Sequence, residues 1–155
     1  MIIYEPTTDL DFIRKCVTHP MAWRAGTDDS MADIVPQWMF IQTDGKLWLR
    51  AGDYGLFVGE PRNAVTYEAH IALLPSARGK AVEIAKGALY WMFYNTNCFK
   101  IIANVPAFNV LAKRLAERCG MKLIGVNTSS ILKGGVLYDQ HLYGISKEEL
   151  CKVWL

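Results

Sequence analysis

The chain has 155 residues, of which 52% are hydrophobic and 21% are charged, a composition typical of a globular domain rather than a disordered chain. Its 17 Lys and Arg against 15 Asp and Glu give a formal net charge of +2, too balanced to predict a nucleic-acid partner. The length predicts a single domain over residues 1–155, and no apolar run approaches the roughly 20 residues that span a bilayer, so no membrane partner is expected.

Four cysteines are scattered along the chain without a C-x-x-C pair: Cys16, Cys98, Cys119 and Cys151. Each lies in or beside an apolar patch, which is typical of a reduced core residue rather than a metal ligand or a disulfide. We therefore expect no metal. The reduced thiols, with an N-terminus that lacks a basic segment followed by an apolar core, predict a cytoplasmic protein.

The first part of the chain predicts a short strand and two helices. Residues 2–4 form an apolar run that predicts the strand. Residues 8–11 have the S/T-x-x-D/E form of a helix start, and an apolar stripe follows until Pro20 stops the helix. A second, shorter helix is predicted over residues 27–34.

Three segments rich in aromatic and aliphatic residues follow, at residues 37–42, 46–51 and 54–60. The Asp-Gly pair at residues 44–45 separates the first two and is a hairpin signal, so the three segments predict an antiparallel meander. Residues 64–74 are then predicted to form a long central strand.

The central strand leads into a basic turn, Arg78-Gly79-Lys80, and then into a segment where apolar residues recur at helical spacing. We predict a helix from about Arg78 to Asn95. The first amides of a helix have no partner within it, and its dipole favours negative charge there, so this turn is a candidate anion site. The alternative is an ordinary strand-to-helix turn with solvated basic side chains.

The second half of the chain repeats the order of strand and helix. Residues 99–105 predict a buried strand, and the helix after it begins at Asn109. Residues 121–126 and 136–145 predict the last two strands, joined by a polar loop, and Ser146 opens a terminal helix. Helices gathered around a largely antiparallel sheet predict the α+β class.

Two of these segments, residues 73–85 and 109–121, resemble the GNAT superfamily of acetyl-CoA-dependent N-acyltransferases. In that family an R-x-x-G-x-G/A turn holds the CoA pyrophosphate, and an N-x-x-A…G-F helix follows the next strand. The resemblance covers about residues 64 to 126, with departures at Ala81, Glu83 and Met121. It implies a mixed, mostly antiparallel sheet of six or seven strands flanked by helices.

The resemblance also implies acetyl-CoA as co-substrate and acetyl or acyl transfer to a primary amine of a small molecule, a protein N-terminus or a lysine. In the family the strand before the basic turn diverges from its neighbour, and its backbone pairs with the pantetheine arm. The cofactor-binding residues implied in this way are Ile71, Ala72, Leu73, Arg78, Gly79, Lys80, Ala81, Val82, Glu83, Asn109 and Ala112. Asn109 is equally well explained as a helix cap.

Three candidate bases, Tyr67, Glu68 and His70, lie on the central strand. Strand alternation puts Glu68 and His70 on one face and Tyr67 on the other. Glu68 matches an acidic position in the branch of the family that modifies protein N-termini, and the imidazole of His70 titrates near neutrality. Glu68 and His70 are therefore the predicted catalytic residues, with a solvent-facing polar strand as the alternative.

A general acid is missing from its usual position, where the family commonly has a Tyr and this chain has Ala116. Tyr138 and Tyr143, on a late strand, are the substitutes, and Tyr143 is the predicted acid. Most strand tyrosines, however, are packing residues.

In the resembled family the first two helices and their connection form one wall of the acceptor cleft. Trp23, Arg24, Asp28 and Asp29 are therefore candidate substrate contacts, although exposed loop residues without a role are the simpler reading. A homodimer is left open.

Glu83 keeps two alternatives in view, because a carboxylate pointing into the turn would repel a pyrophosphate. One is a catalytically silent GNAT-fold domain used for binding or as a scaffold. The other is an unrelated α+β domain whose basic turn binds another phosphate ligand.

Overall fold

The structure, a computed structural model, describes residues 1–30 and 44–154. These residues form five helices and seven strands. The helices are α1 (Leu10–Val17), α2 (Pro20–Gly26), α3 (Ala81–Asn95), α4 (Val110–Arg118) and α5 (Lys147–Trp154). The strands are β1 (Tyr4–Pro6), β2 (Leu47–Ala51), β3 (Gly55–Pro61), β4 (Thr66–Leu73), β5 (Lys100–Pro106), β6 (Lys122–Lys133) and β7 (Val136–Ser146).

The strands form one sheet in the order β1-β2-β3-β4-β5-β7-β6. All described neighbours are antiparallel except β4 and β5, which are joined through α3 and run parallel. The α+β class and the mostly antiparallel sheet predicted from the sequence are therefore confirmed.

The parallel pair at the centre of the sheet is short. Its three partnered positions run from Thr66 opposite Lys100 to Glu68 opposite Ile102. β4 continues to pair with β3 as far as Leu73. Beyond Glu68, β4 and β5 therefore diverge, and the sheet opens a gap at its centre.

Helices cover both faces of the sheet. The larger core lies under α3 and α4, and its fully buried side chains include Met92, Phe93 and Ile101. A second core lies under α1 and includes Ile13 and Val58, and a third, smaller cluster joins Ala51, Ala77 and Ile84. Because side chains alternate along a strand, each face receives every second residue.

The N-terminal helices differ from the prediction. α1 is capped by Asp9, whose Oδ1 accepts a hydrogen bond from the Phe12 amide at 3.1 Å, and it ends before Pro20 as predicted. The sequence pattern does not predict α2, in which His19 caps the helix and Pro20 takes its first position. The helix predicted over residues 27–34 is absent from residues 27–30, and its remainder and the strand predicted over residues 37–42 lie outside the described residues.

Two further boundaries have a physical reason. α3 begins at Ala81 rather than near Arg78, because Gly79 has φ +81° and cannot be helical. The polar loop predicted between β6 and β7 is wrong, because β6 continues to Lys133 through two register shifts and turns at Gly134. Polar composition at residues 127–130 concealed this strand, whose pairing comes from β7.

No helix within residues 1–30 and 44–154 is both long enough and apolar enough to span a membrane. The four cysteines are free, and burial raises the pKa of Cys16, Cys98 and Cys119 to about 11 each.

Candidate functional site

A cavity of about 390 Å³ lies where β4 and β5 diverge. On one side of the sheet it is lined by Ala85 of α3 and Ala112 of α4, and on the other by Ala22 and Gly26 of α2. The cavity therefore passes through the sheet and joins its two faces. Small side chains on all three helices leave room for this passage.

Backbone groups of β4 face the gap at alternate residues. The Arg62 amide donates to Thr66 O at 2.9 Å, and the Leu74 amide donates to Tyr54 O at 2.8 Å, so even-numbered residues of β4 pair with β3. The amides and carbonyls of Ile71 and Leu73 consequently point toward β5, whose ladder has already ended. Ala72, in contrast, uses its backbone groups within the β3–β4 ladder.

The turn after β4 ends in an open helix start. A single 3-10 turn, Pro75–Ala77, is followed by Gly79, and no heavy atom lies within 4 Å of the position that a Cβ on Gly79 would take. Lys80 is the N-cap residue of α3, and no side chain of the described residues caps the helix. The first amides of α3, at Ala81 and Val82, therefore have no intrahelical acceptor and are available to an anion.

The turn is held from the side by the connection between β2 and β3. Lys80 Nζ donates to Tyr54 Oη at 3.0 Å and lies 4.8 Å from the centre of its ring. Ser76 Oγ donates to Asp53 O at 3.1 Å. This contact of Tyr54 cannot be predicted from the sequence, because no local pattern links residue 54 to residue 80. Arg78 is exposed and makes no ion pair within the described residues.

Glu83 lies on the side of α3 away from the cavity. Ala85 and Leu89 line the cavity, and Ala81 lies within about 40° of Ala85 on a helix that turns about 100° per residue. On the same count Glu83 is about 160° from Ala85. The Tyr4 hydroxyl bonds the neighbouring carbonyl of Ile84 at 3.0 Å, and Glu83 helps raise the pKa of Tyr4 to about 12, after burial. By this count the exposed carboxylate of Glu83 lies away from the cavity, and its charge acts on both Tyr4 and Lys80.

Asn109 caps α4 and lines the cavity. Its Oδ1 accepts from the Ala112 amide at 3.2 Å, and its Nδ2 donates to Ala25 O at 3.5 Å. Ala112 and Ala116 line the same wall. Asn109 thus ties α4 to α2 across the cavity, a role that its position as a cap does not reveal from sequence.

Glu68 and His70 lie together at the point where the strands diverge, and both line the cavity. The Nε2 atom of His70 lies 4.0 Å from Glu68 Oε2 and 3.6 Å from Glu60 Oε2. Arg62 forms an ion pair with Glu68 and lies 3.5 Å from Glu60 Oε1. Tyr67 packs on the opposite face, as the alternation predicted.

Burial lowers the pKa of His70 below its ordinary value. Glu60 opposes this shift, whereas Lys46 and Arg62 add to it. The imidazole is half exposed and lines the cavity. At neutral pH it is therefore uncharged and able to accept a proton.

Glu60, Glu68 and His70 also place one potential metal-ligand atom each within 4.8 Å of one another. The guanidinium of Arg62 already supplies a positive charge to both carboxylates. An ion at this position would compete with that guanidinium.

Tyr143 is 2% exposed and lies on the α3–α4 side of the sheet, where its hydroxyl donates to Glu117 Oε1 at 2.9 Å. Burial, with Glu117 adding to it, raises the pKa of Tyr143. The structure does not bring Tyr143 to the cavity. Tyr138 packs edge-on against Phe108.

Among the candidate acceptor contacts near α2, Asp29 makes structural hydrogen bonds that hold parts of the fold together. The carboxylate of Asp29 accepts hydrogen bonds from the amides of Gly134 and Gly135 at 2.7 and 2.9 Å, and these bonds stabilise the β6–β7 turn. Lys133 Nζ donates to the carbonyls of Arg24 and Thr27 at 2.7 and 2.6 Å. These bonds hold the hairpin tip against the end of α2, at the edge of the cavity.

No protein-family model matches the chain, and no curated protein matches it in sequence. Solved structures do match. The spermidine N-acetyltransferase of Vibrio cholerae, in complex with CoA and spermine, superposes with a TM-score of 0.76 at 18% identity over 97% of this chain and 98% of that one. The chain has the GNAT fold.

Other structures of the same Vibrio cholerae enzyme agree. Mutant forms of SpeG, a spermidine/spermine N-acetyltransferase, match at 20% identity and a TM-score of 0.74 over 100% of both chains. A complex with manganese ions matches at 20% identity and a TM-score of 0.70, covering 99% of this chain and 97% of that one. At this identity the likeness concerns the fold, and function must be argued from the site.

Proposed function

We propose that this protein transfers an acetyl or acyl group from acetyl-CoA to a primary amine. The observation that carries the proposal is the cavity through the sheet, which is lined by Ala85, about one turn after the open start of α3, and by Glu68 and His70 at the point where β4 and β5 diverge. One ligand can thus bind by its phosphates at α3 and present its reactive end beside a proton acceptor.

Backbone and small side chains fit acetyl-CoA. The amides of Ala81 and Val82 suit a pyrophosphate, with Arg78 free to add charge. The gap-facing backbone groups of Ile71 and Leu73 suit the amides of a pantetheine arm. Of the predicted cofactor contacts, Ile71, Asn109 and Ala112 line the cavity itself.

Acetyl-CoA supplies an acyl group activated as a thioester. On the protein side, a base at the divergence point takes the proton that the amine loses as it forms the new C–N bond. The C–S bond breaks, and the leaving thiolate takes up one proton to become the CoA thiol. The apolar walls around Ala112 and Ala116 exclude water that would otherwise hydrolyse the thioester.

A small cationic amine is the proposed acceptor. Glu68 lines the cavity and Glu60 lies 3.6 Å from the neutral imidazole of His70, so two carboxylates lie near the place where the amine would bind, with Arg62 and Lys46 as the nearby cations. Carboxylates at such a position attract an ammonium group. The match to a structure that contains spermine adds support for a polyamine-like acceptor over a protein lysine or N-terminus.

The test has two arms. Acetyl-CoA at a hundredfold excess over Kd should stabilise the fold by about 2.7 kcal/mol, a melting shift of several degrees. Free CoA thiol should then appear when spermidine, spermine or a primary-amine peptide is added. A melting curve unmoved by millimolar acetyl-CoA would refute the proposal, and binding without turnover on any amine would favour the catalytically silent alternative.

A further inference from the structure

We propose that His70 is the proton acceptor of the reaction and that Glu60 is its positioning residue, whereas Glu68 is committed to an ion pair with Arg62. This inference rests on the proposed acetyl transfer and assigns separate roles within the cluster at the divergence point. The sequence predicts Glu68 and His70 as catalytic residues without distinguishing their roles, and it predicts no role for Glu60 or Arg62.

The surroundings of Glu68 argue against a role as base. Its side chain is only 10% exposed, and the oxygen nearer to His70 is the one that pairs with Arg62. A guanidinium bound to a buried carboxylate stabilises the charged form, so that protonating the carboxylate means giving up the pair. Glu68 is therefore a fixed negative charge at the floor of the site.

His70 has the opposite surroundings. Its side chain is 51% exposed and lines the cavity, so that a substrate can reach it. Its Nε2 faces both carboxylates, at 3.6 Å from Glu60 and 4.0 Å from Glu68. We assign the resting proton to Nε2, which leaves the lone pair on Nδ1 to receive a proton from the amine.

The sheet register explains how Glu60 holds the ring. Glu60 is opposite Glu68, and Val58 is opposite His70, so that Glu60 and His70 are diagonal neighbours on one face of an antiparallel pair. At 3.6 Å the two groups are beyond ordinary hydrogen-bond range, but they are close enough for strong attraction once the imidazole is charged. Glu60 therefore favours the protonated ring that forms as the amine reacts.

Four charged groups of the described residues act on His70: Lys46 before β2, Glu60 on β3, Arg62 after β3, and Glu68 on β4. Lys46 lowers the pKa of the imidazole and Glu60 raises it, against the dominant lowering by burial. A base must be unprotonated to act, so kcat/KM should rise with pH through the pKa of His70 and then level off.

Two substitutions should move this acidic limb in opposite directions. Glu60→Gln removes an attraction, so the limb should shift to lower pH, and kcat at the plateau should fall because the charged ring loses support. Lys46→Gln removes a repulsion, so the limb should shift to higher pH, with kcat at the plateau unchanged. His70→Ala should lower kcat by about 10²-fold or more and abolish the limb.

A direct titration keeps the inference testable apart from activity. The chain has three histidines, so the imidazole signals can be assigned by NMR with a His70→Ala variant as reference. The pKa of His70 should fall in Glu60→Gln and rise in Lys46→Gln. Arg62→Gln serves as a check on Glu68, because it should release that carboxylate and raise the pKa of His70.

The outcomes separate this inference from the proposed function. Turnover that keeps its acidic limb in His70→Ala but loses it in Glu68→Gln would assign the base to Glu68 and overturn the inference alone. If neither the acidic limb of the pH profile nor the pKa of His70 changes in Glu60→Gln, Glu60 does not position His70. Failure of the wild-type protein to acetylate any amine would overturn the function and His70 as acceptor together.

Discussion

The two sides of the central gap are built from different materials. On the α3 side the site consists of backbone groups: the amides at the start of α3, at Ala81 and Val82, and the groups of Ile71 and Leu73 that point into the gap. On the β3 side the site consists of polar and charged side chains, which belong to Glu60, Arg62, Glu68 and His70. A backbone site tolerates changes of residue as long as nothing fills it, whereas a side-chain site depends on the identity of each member.

This difference explains the departures from the family pattern. Ala81 stands where the family has glycine, yet its amide remains at the first turn of α3. Glu83 is a departure in charge, but the helix turns it away from the cavity. The turn therefore keeps the helix amides on which the proposed pyrophosphate site depends.

The largest expected effect comes from filling the backbone side. Ala81→Asp adds a negative charge and bulk at the first residue of α3, where it would interact favourably with the helix dipole and repel a phosphate. We expect the acetyl-CoA melting shift to disappear while the fold remains stable. Differential scanning fluorimetry with and without acetyl-CoA measures this.

Glu83→Gln is the matched control, since it changes charge two residues further along the same helix. It should leave the acetyl-CoA shift almost unchanged. A shift that grows strongly in Glu83→Gln would show that the carboxylate does reach the phosphates and that its orientation here is wrong.

The next largest effect is expected from a change on the side-chain side, which should lower kcat and leave acetyl-CoA binding intact. His70→Ala should lower kcat by about 10²-fold, which corresponds to about 2.7 kcal/mol of transition-state free energy. The acetyl-CoA melting shift should persist, because no cofactor contact is lost. Steady-state kinetics and the melting assay on one preparation test both, and a loss of the shift with kcat intact would reverse the comparison.

The same contrast between the backbone side and the side-chain side decides how much of the site could be predicted from the sequence. The strand, basic turn and helix from residue 66 to residue 95 follow from local periodicity and glycine, and the structure confirms them apart from the start of α3. The cluster around His70 does not follow, because Glu60 and Arg62 meet it only through the β3–β4 register. Tyr54 reaches Lys80 by a similar long-range contact.

Strands that form only because another strand pairs with them could not be predicted from local sequence patterns either. β6 runs through the polar residues 127–130 because β7 pairs with it and Asp29 grips its turn. Asp29 was a candidate substrate contact, and its carboxylate is engaged in this structural contact. A single sequence records which residues are polar but not which backbone amides they will meet.

A smaller effect separates the two roles of Asn109. Asn109→Ala removes the cap of α4 and should lower the free energy of unfolding by about 1 kcal/mol. Asn109→Ser restores a capping oxygen without the amide that reaches Ala25 O, so it should recover most of that stability. Urea denaturation measures both variants. Equal losses in the two would mean that the contact with α2, not the cap, is the stabilising one.

The smallest expected effect is at Arg78. Its side chain is exposed and has no ion pair within the described residues, so it can approach a bound phosphate only from the solvent side. An exposed contact of this kind contributes about 0.5–1 kcal/mol, or about two- to fivefold in Kd. Arg78→Ala should therefore weaken acetyl-CoA binding by that factor, more at low salt than at high salt, with kcat unchanged. Isothermal titration at two salt concentrations measures it. A loss of two orders of magnitude would mean that side-chain charge, and not the helix amides, holds the phosphates.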